Sequence, residues 1–313
     1  MLNLILNENM KIYRRLRTWI LIALMVIVVG GILVIINSTT KPSKDENAWK
    51  AETSQNIVNM KMQLSSRGMP AAAKKEIESQ IIVSQYRLDN NIPPHDSLWN
   101  GVMQAADFIV LVTMLTVIIA ADMVAGEFST GTIKMLLIRP ANRSKILLSK
   151  YLATLLFSFL LLVLLFATAF VIYGLYQGFS GMNDPYIYAS SDGIVNVVNM
   201  VPHVLSTYGY QCIGLIMIVT LAFMISTVFR SSALAITLSL LFLFIGPAIA
   251  FFLSRYDWVK YFLFANTDLT QYLRGQPLVE GMTLQFSIMV LIAYFIIFNA
   301  LTWTIFNKRD VAA

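Results

Sequence analysis

The connection at residues 126–147 gathers glycine, hydroxyl and charged residues whose spacing could do phosphate chemistry. Gly126 is followed five residues later by Gly131 and then by Thr132, which superficially matches the glycine spacing of a phosphate-binding loop. That loop needs a lysine directly after its second glycine and then Ser or Thr, to reach the phosphates and the magnesium ion. Thr132 and Ile133 occupy those two places, and an apolar stretch precedes the loop where a buried strand is required. We therefore expect this chain to bind no nucleotide or other cofactor.

Residue sets for metal binding or nucleophilic catalysis are also missing from the sequence. The two histidines, His95 and His203, are far apart and lack neighbouring Cys, Asp or Glu at the spacing of a metal site. Cys212 is the one cysteine, so it has no partner for an intrachain disulfide. We predict no catalytic residue and no metal ligand, and we do not expect the chain to be an enzyme by itself.

The same connection has the pattern of a short amphipathic helix. Pro140 prevents this helix from continuing, and its apolar residues share one face, which consists of Ile133, Leu136 and Leu137. Because the chain offers nothing in the cytosol to cover that face, it suits a groove on a soluble partner. The alternative is that the helix lies flat on lipid headgroups.

Six long apolar stretches surround these residues and decide the class of protein. A helix needs about 20 apolar residues to cross the hydrocarbon core of a bilayer, and its backbone groups must be satisfied within the helix. The 313 residues are 57% hydrophobic and 13% charged, with mean hydropathy +0.68, which excludes an ordinary soluble domain. We predict an all-α polytopic membrane protein whose transmembrane helices lie at residues 19–36, 101–125, 148–175, 209–229, 233–253 and 284–305.

Basic residues border these helices unequally and set their orientation. Twelve Lys and Arg lie at the N-terminus, around the 126–147 connection, in the turn between helices four and five and at the C-terminus, against three in the short connections opposite. The positive-inside rule therefore places both termini in the cytoplasm, and we expect a bacterial plasma membrane. The net charge of +6 then reflects anchoring to headgroups and not nucleic-acid binding.

The polar segments follow from that orientation. Residues 1–18 have apolar residues at helical spacing and should form a cytoplasmic interfacial helix. Residues 37–100 contain two helical patterns separated by a glycine and a proline, which predict an extracellular helical hairpin. Residues 176–208 and 254–283 should form extracellular loops, the second with candidate re-entrant helices, and residues 306–313 form a cytoplasmic tail.

A substrate gate is one interpretation of the outer loops and the last two spans. Gly246 and Pro247 interrupt the hydrogen-bond ladder of the fifth span, Tyr261 lies in an aromatic loop, and Asn299 is a polar residue within the sixth. The competing interpretations are a structural kink for the Gly-Pro pair and an aromatic belt at the headgroups for the tyrosine. Asp122, near the inner end of the second span, is expected at the membrane interface.

A longer pattern, which runs from the 126–147 connection into the following span, resembles the signature of permease subunits of type-2 ATP-binding-cassette (ABC) exporters. Its residues are Glu127, Gly131, Thr132, Leu136, Leu137, Pro140, Arg143 and Lys150. The order of segments is similar too, from the interfacial helix to the long loop after the first span and the six spans. The resemblance implies the type-2 exporter permease fold. It also implies that Glu127 through Arg143, including Ile133, form a coupling helix that docks on a nucleotide-binding subunit.

The resemblance further implies a four-part complex in lipid. Two copies of a cytoplasmic ABC ATPase would bind ATP and magnesium, and a second permease chain, identical or homologous, would complete the pathway. We expect outward transport of an amphipathic or hydrophobic cargo, such as a peptide antibiotic, a lipid or a drug, by alternating access. The alternative is a membrane-anchored sensing or assembly partner that binds a ligand or protein through its extracellular hairpin. An ATP-independent channel or carrier is disfavoured because the spans are poor in charged residues at mid-bilayer.

Overall fold

The computed structural model describes residues 1–39, 46–65, 71–93, 97–132, 142–179, 184–190 and 192–308, and these are mostly helical. The helices are Leu2–Tyr13 (α1), Leu16–Thr39 (α2), Glu46–Leu64 (α3), Ala71–Asp89 (α4), Leu98–Ala105 (α5), Ile109–Ser129 (α6), Arg143–Gln177 (α7), Met200–Val228 (α8), Ser232–Phe252 (α9), Leu263–Asn266 (α10), Thr270–Leu273 (α11) and Leu284–Lys308 (α12). Short 3-10 turns lie at Ala106–Phe108 and Asp257–Tyr261, and two strands at Pro185–Ala189 (β1) and Val195–Asn199 (β2).

Six helical stretches within the described ranges are long and apolar enough to cross a membrane: α2, α5 with α6, α7, α8, α9 and α12. The predicted helical class with six apolar spans is therefore confirmed. In the most apolar window of α5–α6 and of α8, 72% and 67% of the residues are buried, against 17–28% in the other four helices. Two central helices thus form the core, and the four around them present apolar side chains on the surface, as helices in contact with lipid do.

Several helices extend beyond their apolar stretches. α8 begins at Met200, whereas hydropathy placed the start of that span at 209, and α7 begins at Arg143 where 148 was predicted. The added turn of α8 carries side chains that pack inside the protein; for example, the Tyr208 hydroxyl donates to the Val102 carbonyl at 3.0 Å. Hydropathy reports the part of a helix that suits lipid, so it misses polar turns that continue the same helix.

The segment between α7 and α8 departs from the all-helical prediction. β1 and β2 form a two-stranded antiparallel sheet in which Pro185 pairs with Asn199 and Ala189 pairs with Val195. Strands of five residues carry too little periodicity to be recognised in a loop rich in tyrosine and asparagine. The sheet packs against α4, and α4 contacts α3, as the predicted helical hairpin requires. The Gly and Pro expected to separate those two helices lie outside the described residues.

Candidate functional site

The N-terminal helix α1 packs on α7 and buries two side chains, one charged and one apolar. Glu8 and Ile12 are its buried residues. The turn into α2 is fixed because the Thr18 hydroxyl donates to the Ile12 carbonyl and the Trp19 indole donates to the Tyr13 carbonyl, each at 2.7 Å. The helix therefore ends at Tyr13 and does not run through residue 18. Its exposed apolar side chains, which remain available to a headgroup layer, are Leu2, Leu6 and Met10.

Four charged side chains meet where α1, α6 and α7 come together. The ammonium of Lys150, whose residue is 1% exposed, donates to Glu127 Oε1 at 2.6 Å and to Glu8 Oε2 at 2.9 Å. The ammonium of Lys11 donates to Glu8 Oε1 at 2.6 Å and to Glu127 Oε1 at 3.2 Å. Two carboxylates and two ammonium groups therefore alternate in space. We refer to these four residues as the Glu–Lys cluster.

The charges of the Glu–Lys cluster hold one another in the ionised form. Burial alone raises the pKa of Glu8, but the neighbouring Lys150 and Lys11 outweigh it and hold that pKa below its ordinary value of 4.5. Burial alone lowers the pKa of Lys11, but Glu8 and Glu127 outweigh it and raise the pKa. Both residues are therefore charged at neutral pH. A buried ionic cluster adds little net stability, but removing one member leaves its partners uncompensated, so each member depends on the others.

A second cluster lies nearby and joins the starts of α2 and α9 to α6. Asp122 Oδ2 accepts from Arg15 Nη1 at 2.7 Å and from Arg17, and Oδ1 accepts from the Ser232 hydroxyl. We refer to these four residues as the Asp–Arg cluster. Asp122 is 7% exposed, so it is enclosed by protein. One turn later, a Cβ at Gly126 would lie 2.6 Å from Asp122 Oδ1, so a larger residue there would displace that carboxylate from its partners.

A buried serine joins the C-terminal end of α6 to α8. Ser226 Oγ accepts from the backbone amides of Val124 and Ala125 at 3.1 and 3.0 Å, and it donates to the Ala121 carbonyl at 2.7 Å. These contacts fix the last turns of α6 immediately before Glu127. Glu127, whose carboxylate belongs to the Glu–Lys cluster, therefore lies at the end of a helix that is bonded to α8.

A small cavity of about 20 Å³ separates the two clusters. Arg15 lines it from the Asp–Arg cluster, Glu127 lines it from the Glu–Lys cluster, and Ile119 and Met123 supply apolar walls. Glu127 Oε2 is buried and has no hydrogen-bond partner among the described residues. The volume suits one water molecule, which two or more polar partners would have to hold. The two clusters are therefore near neighbours, because residues of both line one cavity.

The predicted coupling residues fall into three groups in the structure. Glu127 is turned inward, with its carboxylate on Lys150 and Lys11. Gly131 (φ +71°) and Thr132 follow the end of α6 and are exposed, and the Arg143 guanidinium donates to the Asn307 carbonyl at 3.2 Å, which joins α7 to α12. The remaining predicted coupling residues lie outside the described residues: Ile133, Leu136, Leu137 and Pro140.

Sequence reasoning missed most members of the two clusters as site residues. The exporter pattern includes Lys150 but assigns it no role, and the N-terminal basic residues indicate only the orientation in the membrane. A usable signal was present, because Asp122 and Lys150 each interrupt an otherwise apolar run. Ionisable residues in such places mark pairs or functional sites. The overlooked residues are Glu8, Lys11, Arg15, Arg17, Asp122 and Lys150.

On the opposite side of the spans, a cavity of about 300 Å³ lies among α6, α8, α9 and the short helices before α12. Pro247 lines it together with the charged residues Asp107, Asp268 and Arg274. Gly246 lies against α10, because a Cβ there would meet the ring of Phe264 at 2.5 Å. The Gly-Pro pair thus lines the cavity through Pro247 and packs against α10 through Gly246.

The structure does not bring the other two predicted gate residues to this cavity. Tyr261 is 57% exposed, and its ring packs against Phe286 with centroids 5.5 Å apart. The Asn299 side-chain amide donates to the Phe295 carbonyl of its own helix at 2.8 Å. Both side chains therefore have structural contacts elsewhere.

Comparison with known proteins gives a family and two relatives. A family model described as "Protein of unknown function (DUF2705)" matches residues 57–312. The chain is 40% identical to "Uncharacterized protein YhcI" of Bacillus subtilis (strain 168), with 100% of each chain covered. It is 34% identical to "Uncharacterized membrane protein YdbK" of the same organism, over 64% of this chain and 78% of that protein. The name of the second relative agrees with the six apolar helices.

Proposed function

The chain belongs to the DUF2705 family, and we propose that it is the membrane-spanning permease subunit of a type-2 ABC exporter. It would work with two copies of a cytoplasmic ABC ATPase, which bind ATP and magnesium, and with a second permease chain, identical or homologous. The six apolar helices and the pattern from Glu127 to Lys150 support the proposal. The membrane would be a bacterial plasma membrane with both termini in the cytoplasm, as the distribution of basic residues indicates.

The observation that carries this proposal is the bond across the connection between α6 and α7. Glu127 lies just before that connection and Lys150 just after it, and their side chains meet at 2.6 Å. A force applied to the connection would therefore move α6 and α7 together. Lys11 and Glu8 extend the same contact to α1, and Ser226 extends it to α8. The ends of the connection are thus built as one rigid unit, as a lever requires.

This geometry gives Glu127 a role different from direct docking. Its carboxylate faces inward, so Glu127 positions the connection, and the apolar face of residues 133–137 would contact the ATPase. Closure of the ATPase dimer would press on that face and shift the helices between two arrangements. Nucleotide can shift such an equilibrium only by its differential affinity for the two states. The apolar spans suit an amphipathic or hydrophobic cargo, and the resemblance to exporters indicates outward transport.

Purification and two matched variants test the proposal. The full chain, extracted from its native membrane in mild detergent, should co-purify with an ATP-hydrolysing subunit. Leu136→Asp should lose that subunit because it places a charge on the docking face. Glu127→Gln should keep the subunit but hydrolyse ATP without coupled transport, while the exposed-residue control Glu52→Gln should behave as wild type. A wild-type chain that yields no ATPase, or crosslinkers at residues 133–137 that capture only lipid, would refute the proposal.

A membrane-anchored sensing or assembly partner is the second candidate function. It is favoured by one observation, an open groove between α4 and β1 in the segment outside the spans. A chain that is stable without an ATPase and binds a ligand at that groove would favour this function over transport.

A further inference from the structure

The cavity of about 300 Å³ among α6, α8 and α9 is polar at one end and apolar at the other, and we refer to it as the Asp107 cavity. Its volume lies at the lower end of the range for ligand sites. On the α6 side the lining runs from Asp107 through Val110 to Thr113. On α8 it runs from Gln211 to Ile218. At 1.5 Å per residue these segments cover ~9–10 Å, so the cavity has depth as well as a mouth.

Buried apolar side chains form the deep part of the Asp107 cavity. Leu215 and Ile218 of α8 and Leu243 of α9 line it and are buried, and α6, α8 and α9 all pack against one another. Gly214 allows a close backbone contact at this wall, because a Cβ there would lie 2.5 Å from the Thr267 carbonyl oxygen. The deep end is therefore enclosed by packed helices and suits the apolar part of a ligand.

Exposed residues form the mouth of the Asp107 cavity. Asp107 and Asp268 are exposed, and so are two apolar residues of the rim, Val110 of α6 and Pro247 of α9. Val110 and Pro247 belong to spans whose exposed apolar side chains suit lipid. A ligand can thus hold a charged group at the mouth while its chain contacts apolar protein and lipid.

The charged groups at the mouth do not neutralise one another. Asp268 Oδ1 accepts from the Thr270 backbone amide at 3.0 Å and from the Thr270 hydroxyl. Arg274 donates to that hydroxyl at 3.5 Å. In the described part of the chain, neither Asp107 nor Asp268 has a basic residue within ion-pair distance. Two carboxylates against one guanidinium leave an excess negative charge, and a cleft with such an excess concentrates cations.

Hydrogen-bond acceptors also outnumber donors around the Asp107 cavity. The Thr113 hydroxyl donates to the Ile109 carbonyl of its own helix at 2.9 Å, so its oxygen remains available only as an acceptor. The Gln211 side chain has no hydrogen-bond partner among the described residues and offers both an acceptor and donors. Together with the two carboxylates, these groups favour a ligand that donates hydrogen bonds.

We propose that the Asp107 cavity binds an amphipathic molecule with a cationic, hydrogen-bond-donating head, such as a primary ammonium. The head would lie between Asp107 and Asp268 and form charge-assisted hydrogen bonds with their free oxygens. The apolar chain would contact Leu243 and Ile218. Ionisable residues at a cavity among membrane helices are typical of substrate pathways. Binding itself needs no ATPase, whereas identifying the ligand as the exported cargo rests on the proposed function.

The test is photo-crosslinking of the full chain in phosphatidylcholine nanodiscs. Three dodecyl probes carry the same diazirine and end in an amine, an alcohol or a carboxylic acid. Labelled residues are located by mass spectrometry. Labelling of the exposed residues Met289 and Ile296 on α12 serves as the internal reference, because it reports how much of each probe enters the lipid.

Four variants separate charge, space and general surface effects. Asp107→Asn and Asp268→Asn remove one carboxylate each, and asparagine at 268 keeps an oxygen that can accept from Thr270. Val110→Trp fills the mouth from an exposed position. Asp257→Asn is the matched control, because Asp257 is an exposed carboxylate that does not line the cavity. Tryptophan-monitored unfolding checks that each variant is folded.

Relative to α12, the amine should label the wild-type cavity at least ~5-fold more than the alcohol or the acid does. Because the two carboxylates are exposed and screened, each Asp→Asn change should reduce this preference by ~3–5-fold. Val110→Trp should reduce cavity labelling by every probe, and Asp257→Asn should match wild type. Equal labelling by amine and alcohol, stronger labelling by the acid, or an unchanged preference in the Asp107→Asn/Asp268→Asn double variant would overturn the proposal.

The outcome is independent of the test of the exporter function. A chain that co-purifies with an ATPase but shows no preference for the amine refutes the cation site alone. A chain that prefers the amine but brings no ATPase keeps the site and refutes the assignment of its ligand as exported cargo.

Discussion

Replacement of Lys150 by methionine tests the Glu–Lys cluster most directly. Methionine keeps the length and apolar stem of lysine but removes the ammonium that bonds Glu8 and Glu127 at 2.9 and 2.6 Å. Lys11 would be left to compensate two carboxylates whose side chains are 6% and 12% exposed. We therefore expect Lys150→Met to destabilise the protein and to detach α1 from α7.

The size of the effect follows from burial. Removing one partner of a buried ionic pair destabilises by about 3–5 kcal/mol. The Lys11 side chain is 39% exposed, so its pairs are screened by solvent, and Lys11→Met should lower the free energy of unfolding by ~1 kcal/mol or less. Lys145→Met removes an exposed lysine of the same helix as Lys150 and should change stability by less than ~0.5 kcal/mol.

The assay is thermal unfolding in nanodiscs followed by tryptophan fluorescence, which includes Trp19 at the turn after α1. At ~2 °C per kcal/mol, Lys150→Met should lower Tm by roughly 6–10 °C. Adding Glu127→Gln to Lys150→Met should recover part of the loss, because one uncompensated charge is then removed. The reasoning is wrong if Lys150→Met matches the Lys145→Met control, or if Lys11→Met is the more damaging of the two.

Three further predictions concern other contacts. Gly246→Ala should lower the free energy of unfolding by about 1–3 kcal/mol, because the added methyl group would overlap the ring of Phe264. The control Gly31→Ala places its methyl group in open space and should be neutral or slightly stabilising. The Tm values of the two variants test this difference. Ser226→Ala should cost about 1–3 kcal/mol and increase hydrogen exchange in the last turns of α6. Because the folded pKa of Glu8 is lowered, its contribution is fully present above the ordinary value of 4.5 and is lost as the pH falls through the lowered pKa. Hydrogen exchange in α1 of the wild type should therefore accelerate as the pH falls through the lowered pKa of Glu8. The Glu8→Gln variant should show no such acceleration.

The membrane architecture was readable from the sequence, because each span carries its own signal. An apolar run of about 20 residues needs no distant partner to be recognised, and the two helices of the outer hairpin follow from local periodicity and from Gly and Pro between them. The β1–β2 sheet could not be predicted from the sequence, because it packs against α4 and no local sequence pattern indicates that contact.

The candidate site was predictable only in part, for a similar reason. Glu127 could be singled out because its neighbours follow a known pattern, yet its inward direction depends on Lys150 and Lys11. Lys11 precedes Glu127 by 116 residues, and Glu8 precedes Lys150 by 142. Contacts over such separations leave no periodic trace in a single sequence. Only the folded chain shows that charges used to infer orientation also pair with one another.

The pairing of Glu8 with Lys150 has a consequence for how the protein is made. Helix α1 leaves the ribosome before α7, because Lys150, which bonds Glu8, is synthesised 142 residues after it. Until α7 has been made, Glu8 has Lys11, three residues along its own helix, as its cationic partner. The contact between α1 and α7 therefore has a fixed order of formation, in which a segment translated earlier is held only by one translated later.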